Sequence, residues 1–153
     1  MPLRLTGRLA RRRGPAGDHC PIDRTLHVVG SRSAFLLLRE AFYGAARFDD
    51  LVRFTGFTEA VAAKRLKELV GYGLLELRPY REPGQRTRFE YRLTERGHDL
   101  LPALLALGQW SRTHSPEKGG PTPLHEGCDA EVRVVLQCAE GHRVVEDELV
   151  MTD

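Results

Sequence analysis

One change of rhythm constrains the fold of this chain more than any other feature. Across "TEAVAAKRLKELVGYG", residues 58–73, the apolar positions recur with a helical period. Ala62, Leu66, Leu69 and Val70 share one face of the wheel, and Ala60, Lys64 and Lys67 fall on the other. After Gly73 the period drops to two, and "LLELRPY" and "RFEYRLT" read as strands joined by the Pro-Gly break of "REPGQRT". Upstream, only "TGF" separates the helix from "RFDDLVRFTG", a short helix with Asp49 and Asp50 in its first turn, where the helix dipole favours carboxylates. Thr58 suits the N-cap of the second helix, with Glu59 in its first turn. Two helices joined by a tight turn and followed by a hairpin predict an α+β winged helix-turn-helix.

The flanking segments complete a core. "CPIDRTLHVVG" places Ile22, Leu26 and Val29 on one stripe of a short helix, with Pro21 at its first position, Cys20 at its N-cap and Gly30 at its end. "SAFLLLREAFYG" is apolar nearly all round, which predicts a central buried helix ending at Gly44. Thr94 is placed to cap a long C-terminal helix running to about residue 114, with Leu100, Leu104 and Leu107 on one side and a bend at Pro102. The expected organisation is a flexible basic arm over 1–17, a winged helix-turn-helix domain over 18–114, a linker over 115–123 and a small β-hairpin-like appendage over 124–153. Its strands would be "EVRVVLQC" and "HRVVEDELV".

Charge divides the chain. Residues 1–116 hold 20 Lys and Arg against 12 Asp and Glu, and residues 117–153 hold 3 against 9. A basic body suits a polyanion. No apolar run nears the ~18 residues of a membrane span, and the start lacks the apolar core of a secretory signal. Three cysteines, an odd number, fit a reducing compartment. These features predict a cytoplasmic protein with no membrane partner. No Ser-His-Asp arrangement, phosphate-cradling Gly loop or helical metalloprotease motif is present, so an enzyme is not expected and no cofactor is required.

Binding chemistry concentrates in the helix and the hairpin. A helix entering a major groove needs short residues for close approach and cations for phosphates, which Thr58, Ala60, Ala63, Lys64 and Lys67 supply. Arg65 lies nearer the core flank, where its stem packs while its head reaches for a phosphate. Arg81, Arg86 and Arg88 surround the Pro83-Gly84 bend of the hairpin. The plainer alternative is that Lys64 and Lys67 only solvate a surface helix. The five arginines of the arm, Arg4, Arg8, Arg11, Arg12 and Arg13, either track a phosphate backbone or touch nothing.

"GSRSAFLLLREAFYGAARFDDLVRF", "VAAKRLKELVGYGLLELRPY" and "EYRLTERGHDLLPALLALGQW" together resemble the HxlR-type family of winged-helix transcriptional regulators, from about Cys20 to Trp110. The motifs that carry the resemblance are Arg47-Phe48, Arg65-Leu66 with Leu69, and Glu90-Tyr91 with Leu93-Thr94. The resemblance implies a homodimer joined by its terminal helices. It also implies a recognition helix at about 58–72 in the major groove and a wing at about 81–88 on the adjacent backbone or minor groove. The function expected is then a sequence-specific repressor of a palindromic double-stranded DNA operator, open to a small-molecule or redox effector. Ser33 stands where many relatives carry Trp, and the wing is about two residues longer than the common form. A protein-interaction module built on the same fold is the alternative.

Two further sets of residues have candidate chemistry. Family members often carry a cysteine near Cys20, and a thiol at a helix N-terminus is activated. That makes Cys20 a candidate redox sensor, against the alternative of a small buried apolar residue. In the tail, His125 with Cys128 and Cys138 with His142 have spacings compatible with a structural tetrahedral zinc. A metal-free hairpin is the alternative.

Overall fold

The computed structural model describes all residues except 1, 2, 12, 13, 16–18, 118 and 153. The elements run β1 (Arg4–Leu5), α1 (Gly7–Arg11), α2 (Pro21–Val29), α3 (Arg32–Phe42), α4 (Phe48–Thr55), α5 (Glu59–Gly71), β2 (Leu75–Tyr80), β3 (Arg88–Leu93), α6 (Glu95–His98), α7 (Leu101–His114) and β4 (Val150–Met151). Residues 18–107 form one unit, and residues 1–17 with 108–153 form a second.

The first unit is built around α3. Ala34, Leu37 and Leu38 of that helix are buried, with Leu51 from α4 and Ala62, Leu66 and Leu69 from α5. Val29, Leu74 and Leu75 close the same cluster. Each fully buried leucine contributes roughly 2–3 kcal/mol of transfer free energy. The apolar stripe read from "AVAAKRLKELV" is therefore the face that α5 buries. Caps set its ends. Ser31 and Thr58 accept backbone N–H groups of Ala34 and Val61, at 3.1 and 3.4 Å, at the starts of α3 and α5. Between α4 and α5, Gly56 adopts a left-handed φ of +69°, which lets the chain turn within two residues toward Thr58.

β2 and β3 pair antiparallel with Leu75 opposite Leu93, Leu77 opposite Tyr91 and Tyr80 opposite Arg88. Tyr91 N also donates to Ala46 O at 2.7 Å, so the segment before α4 lies along the free edge of β3. Burial raises the Tyr91 phenol above its ordinary value.

The helix expected from Thr94 to residue 114 is two helices. α6 stops at His98, and α7 restarts at Leu101 with Pro102 in its first turn. Proline has no N–H to donate, and inside a continuous helix its ring would meet the carbonyl of residue 98. In a first turn both problems vanish, so the chain breaks there rather than bends. α6 is held tightly: Thr94 Oγ1 donates to Gly73 O at 2.6 Å and accepts from Gly97 N at 3.0 Å. A Cβ on Gly97 would stand 2.2 Å from the Leu74 carbonyl oxygen. Gly97→Ala should therefore cost about 1–3 kcal/mol of stability, read as a lower midpoint in urea. An unchanged midpoint would mean that α6 is not seated so closely.

The second unit departs from expectation in two places. The N-terminal segment expected to be a flexible arm contains a strand: Arg4–Leu5 pairs in parallel with Val150–Met151, and Thr6 N donates to Met151 O at 2.9 Å. The tail supplies the edge that orders it, a partner some 145 residues away that no local pattern announces. Arg12 and Arg13 lie outside the described residues. "EVRVVLQC" and "HRVVEDELV" also do not form two continuous strands. They contribute isolated bridges, Leu124 to Glu131 and Gln137 to Arg143, and a single 3₁₀ turn at Glu146–Glu148. The side-chain amide of Gln109 takes both backbone groups of Val134, accepting from its N at 2.8 Å and donating to its O at 3.2 Å. That interrupts any ladder through the segment.

Candidate nucleic-acid interface

α5 presents a row of small and basic residues. Ala60, Ala63, Lys64 and Lys67 are exposed, outside the face that buries Ala62, Leu66 and Leu69, and Thr58 is exposed at the N-cap. Neither lysine has an ion-pair or hydrogen-bond partner among the described residues. A helix with alanines beside free ammonium groups can approach a groove closely and meet phosphate or base-edge acceptors. The Thr58 hydroxyl accepts the Val61 N–H and keeps its own hydrogen to donate outward.

Arg65 behaves differently from the two lysines. Its Nε donates to Ser33 Oγ at 3.2 Å, and its Nη1 pairs with Glu68 Oε2 at 2.5 Å. Arg65 is thus half-buried and committed within the protein. Its contact with Ser33 ties α5 to α3.

The hairpin forms a wing with internal bracing. Glu82, Pro83, Gly84 and Gln85 make a tight turn, closed by Gln85 N donating to Glu82 O at 3.0 Å, with Gly84 at φ +75° as a type II turn requires. Arg81 folds back, its Nε donating to Gln85 O at 3.1 Å. Arg86 and Arg88 are exposed and have no ion-pair or hydrogen-bond partner among the described residues. The three arginines therefore divide: Arg81 shapes the loop, and Arg86 and Arg88 are free to bind.

Arg47, one of the residues that carry the family resemblance, lies outside the expected site residues. It reaches from the start of α4 to the wing, pairing with Glu82 at 2.7 Å, and its guanidinium lies 4.8 Å from the Tyr80 ring centroid. The hydrogen bond to Glu82, with that carboxylate's charge, raises the Arg47 guanidinium above its ordinary value. The contact spans 35 residues in sequence, and only the cross-strand register places Tyr80 and Glu82 within its reach.

Comparison with known proteins gives this geometry its context. A family model, the HxlR-like helix-turn-helix, matches residues 28–118. The chain belongs to the HxlR-like helix-turn-helix family. HxlR-like proteins are transcriptional regulators and not enzymes. The uncharacterized HTH-type transcriptional regulator Mb3122 of Mycobacterium bovis is 42% identical over 120 residues, 76% of this chain and 74% of that one. The crystal structure of PA1607 aligns with a TM-score of 0.73 at 28% identity, over 84% of this chain and 90% of that one. The redox regulator HypR in its oxidized form aligns with a TM-score of 0.57 at 27% identity, over 64% of this chain and 100% of that one. The HxlR-like match takes in α3 to α7, and with them the exposed row of α5 and the wing.

The remaining candidates are Cys20 and two pairs in the tail. Cys20 is half-buried at the N-cap of α2, and its side chain makes no capping hydrogen bond. In the tail, His125 Nδ1 is 3.2 Å from Cys128 Sγ, while Cys138 N donates to His142 O at 3.0 Å. Each pair closes its own turn. No three His, Cys, Asp or Glu side chains gather as a metal set among the described residues. No helix among the described residues is long and apolar enough to cross a membrane.

Proposed function

We propose that the protein is a homodimeric repressor that binds a palindromic operator in cytoplasmic double-stranded DNA. The observation that carries the reading is the joint presentation of two unpartnered cation sets. Lys64 and Lys67 lie beside Ala60 and Ala63 on α5, and Arg86 and Arg88 lie on a braced wing. In this arrangement α5 enters the major groove and the wing follows the neighbouring backbone. Dimerisation is supported by uncovered apolar surface. α7 has no buried residue, its Leu107 and Trp110 are exposed by 56% and 64%, and Ile22 and Leu26 of α2 are exposed as well. A two-fold dimer reads half-sites one helical turn apart, or a multiple of that. Repression then requires only occupancy of the operator.

Selection of bound sequences from random duplex DNA tests this directly: a palindromic consensus is expected, and recovery of no consensus would overturn specific binding. Lys64→Ala refines the assignment. If Lys64 meets a base edge, the variant should lose about 1–3 kcal/mol toward the selected operator and less toward random duplex. Equal losses on both would move Lys64 to the backbone.

A further inference from the structure

Beside the C-terminus of α5 lies a cleft of about 590 Å³, within the first unit. We propose that it is a binding site for a small amphipathic monocarboxylate. Its size falls in the range of pockets that take small organic molecules, roughly 300–1,000 Å³. Val28, Leu74 and Leu100 contribute apolar lining, enough for a ring or a short alkyl chain. Arg24 from α2 and Arg96 from α6 line the same space, and neither has an ion-pair or hydrogen-bond partner among the described residues.

The charge balance selects the ligand. Asp99 is the one carboxylate lining the cleft and offsets one of the two guanidinium groups, leaving a surplus of a single positive charge. One ligand carboxylate matches that surplus, and the planar fork of an arginine accepts a carboxylate through two parallel hydrogen bonds. A cationic ligand would face two arginines against one aspartate. The wall is also firm, because α6 is held by Thr94 and by the close seating of Gly97 on Leu74. An occupant would touch Tyr72, which caps the helix proposed to read DNA, and Leu100, in the break before α7. The binding claim stands apart from the DNA reading, since its test contains no DNA.

The test is calorimetric titration of the full chain with octanoate and with phenylacetate, each compared with its neutral amide. Saturable binding of at least one acid is expected, with its amide weaker by about tenfold or more, the equivalent of losing a charged hydrogen bond. Arg24→Gln and Arg96→Gln should each weaken that acid by about tenfold, while Arg133→Gln in the second unit leaves it unchanged. Both arginines are exposed, so circular dichroism should report both variants as folded. No saturation by either acid up to about 10 mM, equal binding of acid and amide, or full affinity in both arginine variants would overturn the proposal.

Discussion

Leu66→Ala should lower the stability of the folded chain by about 3 kcal/mol, within the 2–5 kcal/mol typical of such deletions in packed cores. The Leu66 side chain is fully buried, in the cluster that joins α3, α4 and α5. Removing it forfeits the transfer free energy and leaves a cavity that helices on both sides are too well packed to close. Lys67→Ala, one position on and exposed, should change stability by less than about 0.5 kcal/mol. Chemical denaturation of the two variants therefore separates the two faces of one helix. Leu66→Met, which keeps the volume, should cost less than about 1.5 kcal/mol. A Leu66→Ala variant as stable as the parent chain would mean that α5 does not bury this face, and the outward presentation of Lys64 and Lys67 would fall with it.

That pairing shows which part of the molecule can be read from local chemistry. Helix α5, its N-cap at Thr58 and the turn at Gly56 follow from spacing, side-chain type and glycine's access to left-handed backbone. The two strands of the wing follow from alternation, and the Pro-Gly pair marks the turn. Where expectation and structure part, the cause is a partner distant in sequence or a competition between two local rules. At Pro102 the apolar period continues while the backbone cannot, and the backbone decides. At Arg65, charge and position suggest a phosphate contact, yet Ser33 and Glu68 take the guanidinium. Ser33 offers a hydroxyl where Trp would offer only bulk and an indole N–H. In the tail, strand-like composition is not enough, because Gln109 occupies the backbone groups of Val134 that a ladder would need. The N-terminal strand depends wholly on β4. The candidate site is legible as a set of residue types, and its division into free, committed and bracing arginines is not.

The free pair on the wing leads to the second large effect. Arg86→Ala with Arg88→Ala should weaken binding to any duplex by on the order of 30-fold near 0.15 M salt, and should flatten the plot of log K against log salt by about two. Each phosphate neutralised by a protein cation releases condensed counterions, worth about 0.9 in that slope per contact on B-form DNA. The wing is suited to deliver both contacts together, because Arg47 ties Glu82 to the body and Arg81 closes the loop on Gln85. An arginine on a braced loop loses less conformational freedom on contact than one on a free chain. Arg47→Ala should then reproduce part of the affinity loss while leaving most of the slope, since the wing would keep its cations but not their fixed position. Measurements on random and on selected duplexes should show the same ratio between the double variant and the parent chain, because phosphates carry no sequence information. A slope unchanged in the double variant, or flattened equally by Arg133→Ala in the second unit, would leave the wing as a structural hairpin and remove it from the interface.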